Sequence, residues 1–180
     1  MDDGPGQRDD QDTVLSLARG LLNLGHEALL ICSPGSDLSQ RAKSRDIQTR
    51  EVAMRGEWDA LEAWRIGSLA AEADVLHTFT PNTHSIALMA VRIGSMRPIV
   101  VQYEGHYEIG RGPINRWKLR TPDLFLAYSD SIAGHLQSGG VPKSKIKTVS
   151  NGAAGENKSG EPDVFVKKIV DIYKNLVAVR

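Results

Sequence analysis

Helical and short apolar segments alternate along the whole chain. Residues 14–22 carry apolar side chains at helical spacing, with Asp12 or Thr13 as the expected N-cap and Gly25 as the expected left-handed residue at the end. Residues 27–32 form a short apolar run that predicts a buried strand. The same alternation predicts later strands at 49–53, 74–79, 98–103, 123–128 and 145–149, and helices at 38–43, 58–72, 82–93, 113–119, 129–138 and 165–176.

Strands that alternate with helices predict an α/β fold. We expect a Rossmann-like, doubly wound and mostly parallel sheet in a single domain, with ligands beyond the carboxyl ends of the strands. Residues 150–162 are rich in Gly, Ser and other small polar residues, which is the composition of a linker. We therefore predict a domain over residues 1–150, a linker over 151–161 and a terminal helix over 162–180 that packs back on the domain.

Composition excludes several classes of protein. The 180 residues contain 22 basic and 22 acidic residues, and this balance argues against a dedicated nucleic-acid binder. With Cys32 as the only cysteine, the chain has no internal disulfide and no cysteine-based structural zinc site. No apolar run approaches the length of a membrane span, and the acidic start at residues 1–12 does not resemble a signal peptide. These features predict a cytoplasmic protein.

The beginning of the chain departs from the usual order of a doubly wound sheet. Residues 4–8 (GPGQR) look like a glycine-rich loop that opens a helix, yet almost nothing precedes them to form the central first strand. A gap there would leave backbone groups unpaired. Two interpretations stay open. Either residues 176–179 (LVAV) insert as a strand, from this chain or from a second copy in a homodimer, or they end the last helix and a shorter sheet closes up.

Five stretches follow one another in an order typical of one enzyme family. They are GPGQR leading into VLSLARGLLNLGHE (4–27), DVLHTFTP (74–81), VVQYEGH (100–106), AYSDSIAGHL (127–136) and KIKTVSNG (145–152). Each is weak alone, but together they resemble the N-terminal domain of family 4, GT-B-fold glycosyltransferases over residues 4–152. The last helix also resembles the C-terminal helix of that family, whereas the donor-binding domain that would lie between has no counterpart.

The resemblance implies the acceptor-side domain of a retaining, nucleotide-sugar-dependent glycosyltransferase. Without the donor-binding domain, the chain is expected not to transfer sugar alone. The implied acceptor is a sugar, a sugar phosphate or a lipid-linked molecule, and weak contact with a membrane surface is compatible with the sequence. No metal or other cofactor is implied beyond the nucleotide-sugar substrate. The alternative is a non-catalytic structural or binding module on the same scaffold.

The resemblance also assigns site residues. His106, which follows a predicted strand, is implied as the catalytic group near the reacting centre. Gly4 and Gly6, with Arg8 as added charge, suit a diphosphate at a helix N-terminus, although a disordered tail is the simpler interpretation. The other expected substrate-binding residues are His77, Thr80, Asn82, Glu104, Tyr107, Arg111 and Ser129.

Each of these residues has a plain structural alternative. His77 lies within a predicted strand and can serve core packing. Thr80, Asn82 or Thr83 can cap the helix that follows, and Ser129 can cap a later one. The charged and aromatic residues after 103 can form a solvated loop. His84 is expected beside the start of its helix, where it could touch an acceptor.

Overall fold

The computed structural model describes residues 5–54, 56, 59–94, 97, 99–103, 112–149 and 164–179, with side chains for all of these except 5–10 and 101–103. The chain divides into two compact units. The first comprises Met1–Ala53 and Asn151–Asp171, and the second comprises Met54–Ser150 and Ile172–Arg180.

The first unit contains two parallel strands together with helices from the beginning and the end of the chain. Its elements are α1 (Pro5–Asn23), β1 (Leu30–Cys32), α2 (Asp37–Lys43), β2 (Thr49–Glu51) and the first part of α7 (Val164–Ala178). The register of β1 and β2 places Leu30 opposite Thr49 and Cys32 opposite Glu51. The core joins α1 to α2 through the buried side chains of Leu15, Ala18, Ala42 and Ile47.

Helix α1 begins earlier than the sequence indicated. Its first residue is Pro5, so the prediction of a cap at Asp12 or Thr13 was wrong. A proline suits the first helical position because its missing N–H would have no partner there. The predicted end is confirmed: Gly25 has φ +79°, and the N–H groups of Gly25 and His26 bond the carbonyls of Leu22 and Leu21.

The second unit is a four-stranded parallel sheet with helices between the strands. Its elements are α3 (Ala60–Leu69), β3 (Leu76–Thr78), α4 (Pro81–Ile93), β4 (Ile99–Tyr103), α5 (Pro113–Arg120), β5 (Leu124–Ala127), α6 (Asp130–Ser138), β6 (Ile146–Thr148) and the end of α7. The strand order is β3-β4-β5-β6, with every neighbouring pair parallel. This arrangement confirms the predicted Rossmann-like α/β fold class.

One face of this sheet packs against α4, α5 and α6. Phe125 lies in β5, aligned with Val101 of β4 and Ile146 of β6, and its side chain is fully buried. Around it the helices contribute further apolar side chains, which are Ala87, Leu88, Leu119, Ala133 and Leu136. This cluster fixes the positions of the three helices on that face of the sheet.

The strands that the structure describes form two sheets and not one. β1 pairs with β2, β3 to β6 pair among themselves, and no ladder joins the two sets within the described residues. Residues 176–178 are helical and Val179 lies in a turn, so the interpretation of 176–179 as an inserted strand was wrong. The alternative is confirmed in part: these residues end the last helix, but the described strands do not form a single, shorter sheet. The predicted boundaries of the domain and linker stay a prediction, because residues 150–163 lie outside the described part of the chain.

A close approach of helices inside the first unit gives a stability prediction. A Cβ added at Gly20 of α1 would lie 2.7 Å from both Cγ atoms of buried Val166 in α7. Overpacking typically destabilises by about 1–3 kcal/mol, whereas helix propensity favours Ala over Gly by about 1 kcal/mol. We therefore expect Gly20→Ala to lower the free energy of unfolding in urea by about 1 kcal/mol.

A matched glycine provides the control for this prediction. Gly134 lies inside α6, and nothing lies within 4 Å of a Cβ built there. Gly134→Ala is therefore expected to raise the free energy of unfolding by about 0.5–1 kcal/mol. Adding Val166→Ala to Gly20→Ala removes the overlap, and a double-mutant cycle should show a favourable coupling. Equal effects of the two glycine substitutions would contradict the proposed overlap.

Candidate functional site

Four of the predicted site residues, His77, Thr80, Asn82 and Ser129, lie in or directly after strands at the carboxyl edge of the four-stranded sheet. Thr78 ends β3 and Ala127 ends β5, so Thr80 and Ser129 each follow a strand by two residues. Parallel strands end at the same edge, and β4 separates β3 from β5. Two strand spacings amount to about 10 Å, which one bound sugar with its substituents can span. The edge therefore brings Thr80, Asn82 and Ser129 to one side of the unit.

His77 of β3 is held in an aromatic arrangement. Its ring stacks on Phe79 with centroids 4.3 Å apart, and its Nδ1 lies 2.6 Å from the hydroxyl oxygen of Tyr173 in α7. Nε2 of His77 is shielded from water and has no hydrogen-bond partner among the described residues. Burial lowers the pKa of His77 to about 3, so the imidazole is neutral at physiological pH.

Tyr173 was not predicted as a site residue. The sequence placed it only on the apolar stripe of the last helix, and 96 residues separate it from His77. Burial raises the pKa of the Tyr173 hydroxyl above its ordinary value, which keeps the hydroxyl protonated. No local pattern could have revealed this pair, because only the packing of α7 on the sheet of the second unit creates it.

Two helices that begin at this edge, α4 and α6, are capped by the side chain of the residue before their first turn. Thr80 is the N-cap of α4, with its Oγ1 accepting from the backbone N–H of Thr83 at 3.3 Å in a reciprocal capping box. Of the expected caps Thr80 is confirmed, whereas Asn82 and Thr83 lie inside the first turn, because Pro81 occupies the first helical position. Ser129 caps α6 as predicted and accepts from the N–H of Ile132 at 3.3 Å.

Asn82 lies in the first turn of α4 with a half-buried side chain. Its Oδ1 is shielded from solvent and has no partner among the described residues. A buried amide oxygen without a hydrogen bond is destabilising by about 1–3 kcal/mol, so a ligand N–H or O–H that reaches it would be favoured. The Oδ1 atom of Asn82, a predicted substrate-binding residue, is therefore available to accept a hydrogen bond from a ligand.

His84 is a core residue and does not lie free beside the helix start, so the expectation that it could touch an acceptor was wrong. It is 7% exposed, its Nε2–H donates to the backbone carbonyl of Lys118 at 3.1 Å, and its ring contacts Phe125 edge to face. Burial lowers the pKa of His84 to about 4. Its spacing of four residues from buried Leu88 is a sequence signal that could have placed it on the core-facing side of α4.

The remaining predicted site residues are not assembled here. Glu104, His106, Tyr107, Arg111 and Gly4 lie outside the described residues. Gly6 and Arg8 fall in the first turns of α1, so the loop predicted over residues 4–8 is helical from Pro5 onwards. Their proposed roles toward a diphosphate stay predictions.

A separate polar network lies at the end of β2 in the first unit. Oε1 of Glu51 accepts from Ser39 Oγ at 2.5 Å, from Lys43 Nζ at 2.8 Å and from the N–H of Gly35 at 3.4 Å. The hydrogen bond from Lys43, followed by that from Ser39, lowers the pKa of Glu51 to about 2. The network ties the turn after β1 to α2 through these three hydrogen bonds, so we assign it a structural role.

Among the side chains that the structure describes, no three His, Cys, Asp or Glu residues come together as a metal-binding group. Of the helices that the structure describes, none combines the length and apolar character needed to cross a bilayer.

Comparisons with known proteins identify the family. The model of Glycosyltransferase Family 4 matches residues 11–154. No curated protein matches the chain significantly. Among solved structures, a glycosyltransferase from Rickettsia africae ESF-5 superposes with a TM-score of 0.67 at 20% identity, covering 83% of this chain and 40% of that chain.

A second solved protein gives the same result. Anabaena HepE in complex with UDP and glucose superposes with a TM-score of 0.63 at 14% identity, covering 80% of this chain and 41% of that chain. The chain thus spans about two fifths of the length of these solved proteins. The likeness shows a shared glycosyltransferase Rossmann-like fold. With its five motifs in family order and a family match over most of its length, the chain belongs to Glycosyltransferase Family 4.

Proposed function

We propose that this chain is the acceptor-side part of a retaining, nucleotide-sugar-dependent glycosyltransferase and that it does not transfer sugar by itself. The family match over residues 11–154 carries the proposal. Structures of Anabaena HepE hold UDP with glucose, or UDP-glucose, and about three fifths of those chains has no counterpart here. Transfer needs donor and acceptor held together, and this chain supplies only the part that resembles the acceptor side.

The carboxyl edge of the second unit is the proposed acceptor site. Asn82 offers an unpaired amide oxygen, and His77 offers a neutral imidazole at the end of β3. Neutral hydrogen-bonding groups suit the hydroxyls of a sugar. His106 is proposed to approach the reacting centre, with Gly4, Gly6 and Arg8 facing the diphosphate of the donor in the complete enzyme. Glu104, Tyr107 and Arg111 are proposed to complete the acceptor site.

Ligand binding by the intact chain tests this proposal. We expect glucose to perturb the NMR resonances of residues at the carboxyl edge of β3 and β5, UDP to perturb few, and UDP-glucose to yield no transfer product. Asn82→Ala should weaken glucose binding by about two- to tenfold, the value of one neutral hydrogen bond. Asn23→Ala, at an exposed position in the first unit, is the matched control and should leave the affinity unchanged.

The alternative function is a non-catalytic structural or binding module. One observation favours it: the hydroxyls of Thr80 and Ser129 already serve as helix caps, which leaves fewer groups to hold a ligand. If neither glucose, UDP nor UDP-glucose perturbs any resonance of the second unit, this alternative replaces the glycosyltransferase proposal. Sugar transfer by the chain alone would instead contradict the statement that it is inactive by itself.

A further inference from the structure

The hydrogen bond between His77 and Tyr173 determines which imidazole nitrogen carries the proton. If His77 Nδ1–H donated to the Tyr173 oxygen, both the phenol O–H and the Nε2 lone pair would lack a described partner. If the Tyr173 O–H donates to Nδ1, only the Nε2–H group of His77 is left without a described hydrogen-bond partner. Buried polar groups in folded proteins nearly always have a hydrogen-bond partner. The arrangement in which the Tyr173 O–H donates to Nδ1 leaves fewer groups without one and is therefore favoured. The protonated phenol is consistent with it.

We infer that Tyr173 is a positioning residue that holds His77 in the Nε2–H tautomer, so that His77 presents an N–H donor to an acceptor oxygen of the bound ligand. This inference rests on the proposed acceptor site and extends it to the C-terminal helix. The stacked ring of Phe79 restrains the imidazole from the side. Together the two contacts leave the His77 ring little freedom to turn.

The chemistry of the ligand follows from the donor. Nε2 of His77 is shielded from water and lacks a described partner, so an oxygen brought into the site would satisfy it. A ring or hydroxyl oxygen of a neutral sugar provides such an acceptor, and so does a phosphate oxygen. The sugar oxygen and the phosphate oxygen both have the required lone pair, and binding measurements with glucose and with inorganic phosphate distinguish them.

The first test needs no ligand. Nitrogen chemical shifts of the His77 imidazole in the intact chain distinguish the two tautomers, and we expect Nε2–H. Tyr173→Phe should convert this signal into a mixture of both tautomers, because the ring loses the donor at Nδ1. Tyr128→Phe, which removes a phenol hydroxyl after β5, two strands from β3, is the matched control and should leave the His77 signal unchanged. An Nδ1–H tautomer in the unaltered chain would overturn the inference.

The second test measures glucose and inorganic phosphate binding at the same nitrogen. A shift of the His77 Nε2–H signal with glucose identifies a sugar oxygen, and one with phosphate alone identifies an anionic oxygen. His77→Asn keeps an acceptor for Tyr173 but loses the distal donor, and should weaken binding about tenfold. His77→Gln places an amide near the Nε2 position and should weaken it about threefold at most.

Failure of this inference is distinct from failure of the proposed function. If glucose perturbs Asn82 and its surroundings but neither ligand shifts His77 Nε2–H, the inference is wrong and the acceptor site stands. If no resonance of the second unit responds, the proposed acceptor site fails, whereas the tautomer fixed by Tyr173 can still be observed in the free chain.

Discussion

Between pH 6.5 and about pH 5 the free energy of unfolding should fall by about 3 kcal/mol, because two histidines of the second unit resist protonation in the folded state. Burial lowers the pKa of His77 to about 3 and that of His84 to about 4, from an ordinary value of 6.5. The unfolded chain therefore binds more protons than the folded chain below pH 6.5. Stability is fully present above pH 6.5 and is lost as the pH falls toward these lowered values.

Urea unfolding at a series of pH values measures this slope. Each histidine contributes up to about 1.4 kcal/mol per pH unit, so His77→Gln or His84→Gln should each remove about half of the dependence. The stability that Glu51 contributes through its lowered pKa of about 2 is lost mostly below its ordinary pKa of 4.5, and the window lies above that value. In this window the change of the free energy of unfolding with pH therefore reports on the protonation of the two buried histidines.

The variant that lacks both buried histidines provides the control. A slope that survives in the double variant His77→Gln/His84→Gln would show that other groups cause the acid sensitivity.

The existence of the elements was predictable from the sequence, but their lengths were not. The strand predicted over residues 27–32 is paired only from Leu30 to Cys32. Its partner β2 is three residues long, and the ladder ends where that partner ends. Strand length is thus set by a second segment of the chain, which an apolar run alone does not reveal.

The candidate site also has features that the sequence could predict and features that it could not. Ser129 as a cap and Gly25 as a left-handed end follow from local rules, and both are confirmed. The N-cap of α4 at Thr80 agrees with a local rule as well, because Pro81 suits the first helical position. The pairing of His77 with Tyr173 depends on tertiary packing, and no local rule predicts it.

Phe125→Ala should lower the free energy of unfolding of the second unit by about 3–5 kcal/mol. The side chain is fully buried at the centre of the cluster that joins β5 to α4, α5 and α6. Its removal loses apolar burial and leaves a cavity that the neighbouring strands β4 and β6 hold open. Urea unfolding measures the loss. Trp64→Ala, at a side chain that is 55% exposed on α3, is the control and should change stability by less than about 1 kcal/mol.

Phe125→Ala should also change how the free energy of unfolding depends on pH. The ring of Phe125 lies 6.3 Å from that of His84, centroid to centroid, and forms part of the apolar surroundings that lower the pKa of His84. Phe125→Ala admits water beside the imidazole, so the pKa of His84 should rise toward 6.5 and its share of the acid slope should shrink. Phe125→Leu keeps most of the apolar volume and should retain the slope. If Phe125→Ala destabilises the unit but leaves the slope intact, burial by this ring is not what keeps His84 neutral.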